Sequence, residues 1–149
     1  MSRPPGVLPN RPGEPEFKIK AEPDGPIEFK SNKITEGPVV YEMKLSNPTA
    51  KRQTFKCKCT STDFFRLNPP LGFISPNETV TLRIFFQSKT IPKGVHFIAI
   101  YHMPSDETAK PVREIWSADA KPEGVRRFRC HFLKEDGTAH EPEEKVNKE

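Results

Sequence analysis

Apolar residues return at every second position in run after run of this chain. That period fits a β-strand with one buried face and does not fit a helix. Phe17, Ile19 and Ala21 alternate with Lys18, Lys20 and Glu22. Val39, Tyr41, Met43 and Leu45 alternate with Val40, Glu42, Lys44 and Ser46, up to a stop at Asn47-Pro48. Phe55, Cys57 and Cys59 repeat the pattern around Lys56 and Lys58. Val80, Leu82, Ile84 and Phe86 do so after Thr79, and Phe128, Cys130 and Phe132 do so after Arg127. The stretch from Val95 to Tyr101 is apolar on both faces, as a central strand is, and shorter strands are expected at Ile27–Phe29 and Phe64–Leu67. Short strands separated by proline and glycine turns predict an all-β chain: an antiparallel sandwich of the immunoglobulin type, with seven strands.

The breakers support this reading. Seventeen prolines and eight glycines in 149 residues are more than a helical bundle tolerates, because a proline inside a helix costs about 3 kcal/mol. One helix is expected. After Pro111, Val112, Ile115 and Trp116 fall on one face of a short helix closed before Pro122. Trp116 is expected to plug one end of the sandwich.

The chain divides into three parts. Residues 1–16 carry Pro4, Pro5, Pro9, Pro12 and Pro15 with almost nothing apolar to bury, and read as a flexible proline-rich extension. Residues 17–133 form the domain, and residues 134–149 read as a charged flexible tail. That tail holds three basic and six acidic groups, which leaves 21 basic and 14 acidic groups in residues 1–133, a net of +7. A basic domain favours acidic partners. No helix-turn-helix, zinc-finger spacing or paired-aromatic RNA signature accompanies that charge, so no specific nucleic-acid binding is expected. No apolar run is long enough to span a bilayer, and Met1–Pro15 lacks a signal pattern, so membrane insertion is not expected and a cytoplasmic place is.

Nothing in the sequence has the form of a catalytic centre. His96, His102, His131 and His140 lie in separate segments without metal-ligand spacing. Cys57, Cys59 and Cys130 make an odd set with no C-x-x-C pair, and read as small buried hydrophobes. Glycine-rich phosphate loops and nucleophile elbows are missing. No enzyme, no cofactor and no metal are expected.

Several segments taken together resemble the major sperm protein (MSP) domain. They are Leu45-Ser46-Asn47-Pro48-Thr49, Phe55–Thr60, Asn68–Pro76, Met103-Pro104-Ser105, Lys121-Pro122-Glu123 and Phe128–Phe132. Over residues 17–133 the order is similar to that of the MSP domain in VAP adaptors. The resemblance implies a seven-stranded sandwich that binds other proteins without catalysis. It also implies two styles of function: self-assembly into the filaments that drive nematode sperm, or binding of acidic diphenylalanine (FFAT-type) peptides through a basic groove.

Carried over residue by residue, that groove falls on Lys56, Lys58, Thr60, Phe97 and Arg127, with Arg126 and Arg129 in support. The chain departs from the adaptor pattern at Cys59, Thr62, Val95 and Phe97. No coiled coil or hydrophobic anchor follows residue 133, so the expectation favours a soluble, filament-associated sperm-type protein with room for self-association, and places the acidic-peptide adaptor second. The absence of metal and nucleotide chemistry is open to a direct check. Neither a chelator nor adenine or guanine nucleotides should move the melting curve, since a bound group contributes directly to stability.

Overall fold

The computed structural model describes residues 6–140. The strands are β1 (Val7–Leu8), β2 (Lys20–Glu22), β3 (Ile27–Lys30), β4 (Val39–Ser46), β5 (Gln53–Cys59), β6 (Phe65–Asn68), β7 (Leu71–Ile74), β8 (Thr79–Phe86), β9 (Phe97–Pro104) and β10 (Gly124–Leu133). One helical turn, α1 (Val112–Ile115), lies between β9 and β10. They form two facing sheets. The first runs β1-β10-β9-β5-β7, with β3 also on β10, and the second runs β2-β4-β8-β6. All pairings are antiparallel except β3 with β10, which is parallel.

The expectation of seven strands holds once two pairs of segments are each counted as one run. The chain changes sheets between β2 and β3, past the cis bond Glu22–Pro23, and between β6 and β7, at the cis bond Asn68–Pro69. Joining each pair leaves seven runs plus the two-residue β1. The strand β7 has no alternating pattern and was not expected. It lies so close to β5 that a Cβ on Gly72 would stand 2.8 Å from the Phe55 ring.

The alternating residues are the core. Phe29, Met43, Leu45, Phe55, Leu82, Ile84, Phe86, Ile98, Ile100 and Phe128 are buried between the sheets. At one end Phe29, Phe65, Phe86 and Phe132 gather, with Phe86 and Phe132 centroids 4.6 Å apart and Phe29 within 6.0 Å of each of the others. Such pairs add to what burial alone contributes. Cys57 and Cys130 lie in the same core as free thiols, and burial pushes both well above the usual range.

The Asn47-Pro48-Thr49 corner has a clear physical purpose. Asn47 is fully buried; its amide donates to the carbonyls of Lys51 (2.7 Å) and Ile74 (2.9 Å), and its Oδ1 accepts from Thr49 N–H and Oγ1. Its backbone pairs with Glu78 and Asn77. The side chain thereby ties the end of β4 to the approach to β5 and the end of β7, and the backbone ties it to the turn before β8.

Four expectations need correction. Residues 7–16 do not stand apart from the domain: Val7 is buried and pairs with Phe128, and Leu8 pairs with Arg127. The residues after β10 also pack, through the bridge Leu133–Ala139 and a hydrogen bond from His140 Nε2 to the Ser31 carbonyl; residues 141–149 lie outside the described part. Val95 is exposed and precedes β9 instead of belonging to it. Trp116 is buried, but outside the cluster between the sheets. Its indole N–H donates to Thr54 Oγ1 at 2.9 Å, and Thr54 faces away from the core, so Trp116 caps the outer face of the first sheet.

The Asn47 corner yields a test. Asn47→Ala removes the side-chain donor from the buried Ile74 carbonyl and the acceptor from Thr49 N–H, while Thr49 Oγ1 keeps the Lys51 carbonyl. A buried group left without a partner costs about 1–3 kcal/mol. A thermal melt should show a drop of roughly 5 °C or more.

Candidate functional site: the outer face of the first sheet

The pleat sends Thr54, Lys56 and Lys58 of β5 to the side opposite Phe55 and Cys57. Across the sheet Lys56 stands opposite Tyr101, and Tyr101 opposite Val125; Lys58 stands opposite Ala99, and Ala99 opposite Arg127. Lys58 and Arg127 are therefore separated by one small residue, about 10 Å apart by sheet spacing. Phe97 pairs with Arg129 one row further on, and the Arg127 guanidinium lies 5.8 Å from the Phe97 ring centroid. The Lys58 ammonium lies 5.8 Å from the Tyr101 ring. Lys56, Lys58, Phe97 and Arg127 thus share one face, with Thr60 just past the end of β5.

Thr60 is committed to the loop before β9. It shares a 2.8 Å hydrogen bond with His96 Nδ1, while His96 Nε2–H donates to the Lys93 carbonyl at 3.0 Å. The expected supporting role of Arg126 is corrected by the pleat, because neighbours on a strand point to opposite faces. Arg126 turns away, pairs with both oxygens of Asp24 (2.9 and 2.7 Å) and lies over Phe17.

Arg127 is not an open cation. Its side chain is 4% exposed, and it donates two hydrogen bonds to Glu14, at 2.7 and 2.8 Å, with the Tyr101 hydroxyl 3.4 Å away. These bonds hold the Glu14 carboxyl down at about 2, against 4.5 ordinarily. Sequence reasoning missed Glu14 and Tyr101. Glu14 sits in a proline-rich stretch 113 residues from its partner, and no local pattern marks such a pairing.

The start of β2 is fixed by a neutral histidine. His102 is fully buried; its Nδ1–H donates to Gln53 Oε1 at 2.9 Å and its Nε2 accepts from Lys18 N–H at 3.0 Å. Burial pulls its pKa from 6.5 to about 4. A Cβ on Gly124 would collide with the ring, which is why glycine begins β10. A separate cavity of about 1130 Å³ opens between β5 and β6, with Cys57, Phe65 and Leu67 in its wall and Lys58 and Arg66 at its rim.

Among the described residues no group of three His, Cys, Asp or Glu side chains converges as a metal site. No helix among them is long and apolar enough to cross a membrane. Two facing sheets, antiparallel except where β3 meets β10, make a β-sandwich that carries Lys56, Lys58 and Arg127 on one outer face. The profile of the MSP (major sperm protein) domain matches residues 18–121, and the chain belongs to that family of interaction modules.

An uncharacterized Caenorhabditis elegans protein is 38% identical over 85% of this chain and 83% of its own length, and a second is 42% identical over 72% and 81%. An Aplysia californica vesicle-associated membrane protein/synaptobrevin-binding protein is 28% identical over 81% of this chain, but only 48% of its own length. Among solved structures, SSP-19, an MSP-domain protein of Caenorhabditis elegans, superimposes with a TM-score of 0.61 at 17% identity over 74% of this chain and 95% of its own. That likeness concerns the fold.

Two steps of acid destabilisation follow. The unfolded chain protonates a histidine near 6.5 and the folded chain near 4, so stability should fall as pH drops through that window. The Glu14 contribution is complete above pH 4.5 and should be lost between 4.5 and about 2. Melting temperature recorded against pH should show both steps, and Glu14→Gln should remove the lower one alone.

Proposed function

We propose that this chain is a filament-associated interaction module of the nematode sperm cytoskeleton, working in the cytoplasm without catalysis. It joins or regulates MSP-type filaments through its sheet edges. The observation that carries this reading is the filled state of the basic face, where Glu14 already holds Arg127. With that cation occupied, the edges of β2, β6 and β7 are left for partners, each of these strands being paired on one side only among the described residues. A free edge offers backbone donors and acceptors in a row and accepts another chain readily. The two relatives matched over most of their own length are Caenorhabditis elegans proteins, which fits the nematode part of this reading and no more.

A second reading, an adaptor for acidic FFAT-type peptides, is favoured by one feature of that face. Lys56 and Lys58 stand beside Tyr101 and make no ion pair among the described residues. Sedimentation separates the two readings. The first expects association that grows with concentration, or co-sedimentation with MSP filament subunits. A strict monomer that binds an acidic diphenylalanine peptide at micromolar concentration would overturn it in favour of the second.

A further inference from the structure

Residues 6–18 run back across the sandwich as a strap. At its start the Gly6 carbonyl accepts from Arg129 N–H at 2.8 Å and β1 pairs with β10. At its end Lys18 N–H is held by His102, and the Phe17 ring packs edge-on against His102 and Phe128. Between these anchors Pro9, Arg11, Pro12 and Gly13 are exposed. The middle is a turn closed by Glu14 N–H to the Arg11 carbonyl and by Arg11 N–H to Glu14 Oε1. That turn delivers the Glu14 carboxylate to Arg127. Glu14 is the more accessible partner, with 21% of its side chain exposed against 4% for Arg127. The strap is therefore the lid and the arginine the floor.

We propose that Glu14 is a built-in competitor: residues 9–16 close a carboxylate subsite made by Arg127 and Tyr101, and an external acidic segment binds this face only by displacing them. The inference rests on the acidic-peptide reading of the face. The chemistry of the occupant is written in the strap itself, which presents a carboxylate, Glu14, to the Arg127 guanidinium. The strap satisfies only Arg127. Lys56 and Lys58, on the same face, have no carboxylate among the described residues. An external peptide with several carboxylates reaches all three cations, and that difference is what allows it to win the exchange. An incoming ligand must also offset the closed state, so the apparent affinity of the resting chain is lowered by the fraction of molecules that are open.

The test uses the full chain and a fluorescent peptide carrying two adjacent phenylalanines among glutamates and aspartates, titrated at constant salt. Glu14→Gln should bind about tenfold tighter than the unaltered chain, a gain of about 1.4 kcal/mol. Glu16→Gln, an exposed neighbour in the same strap, should behave as the unaltered chain does. Adding Arg127→Gln to Glu14→Gln should abolish the gain. In the unaltered chain, saturating peptide should shift the amide resonances of Gly13 and Glu14, a readout that needs no variant to fold. Equal affinity of the unaltered chain and Glu14→Gln, or unmoved Gly13 and Glu14 resonances with peptide bound, would overturn the strap and leave the peptide site standing. Binding to none of the variants would overturn both.

Discussion

The pleat of β10 is the constraint on which the rest of this molecule depends. Neighbouring side chains on a strand point to opposite faces, so one ten-residue segment serves both the core and the outer surface. Phe128 and Cys130 go into the core, while Arg127 and Arg129 go out. The same strand pairs with β9 along one edge and with β1 and then β3 along the other. A shift of one residue would turn two arginines inward between the sheets and turn Phe128 and Cys130 out, so register is strongly specified here. The buried His102–Gly124 contact marks where β10 begins, and the Phe29–Phe132 stack holds its far end.

Around that frame the charged groups act as closures. Asp24 closes on Arg126 from one side of the strand and Glu14 closes on Arg127 from the other. An arginine taken out of water needs a carboxylate and further hydrogen bonds to stay charged at acceptable cost. Arg127 has both, from Glu14 and Tyr101, although its Nε has no protein partner. The net basic charge counted along the chain therefore overstates the positive charge this face offers to a ligand. Among the described residues, the cations of that face without an ion pair are Lys56, Lys58 and Arg129.

This arrangement connects the two styles of function that the MSP family resemblance implies. A sandwich presents faces and edges, and a protein that works through one must manage the other. Here β10 is covered on its outer edge by β1 and β3, whereas β2, β6 and β7 keep an edge without a strand partner among the described residues. The second edge of the first sheet is flanked by the Trp116 segment, whose indole rests on Thr54 beside β7. Edge pairing and a strapped groove are compatible in one molecule, because the strap closes on β10 of the first sheet, whereas β2 and β6 are edges of the second sheet and β7 lies at the far margin of the first.

Much of the architecture was legible in the residues alone. The alternating runs around Met43, Cys57, Ile84 and Phe128 became core strands, because burying one face of a pleated strand requires only that local pattern. The gathering of Lys56, Lys58, Phe97 and Arg127 on one face was legible through the family resemblance, since their positions along three strands carry no local signal of adjacency. Other features were decided by the tertiary structure. The strand β7 forms because β5 offers it an edge, not because Leu71–Ile74 alternates. Trp116 rests on the outer face because the Thr54 hydroxyl waits there for its N–H. Above all, the proline-rich start of the chain has almost nothing apolar to recommend it, yet Val7 and Glu14 lie against β10 and Arg127. The sequence by itself determined where strands could exist and which faces would be buried, since both follow from a period of two. Which acid meets which base, across 113 residues of chain, is fixed only when folding brings the ends together, and the physical reason is that an ion pair depends on distance in space and leaves no periodicity behind.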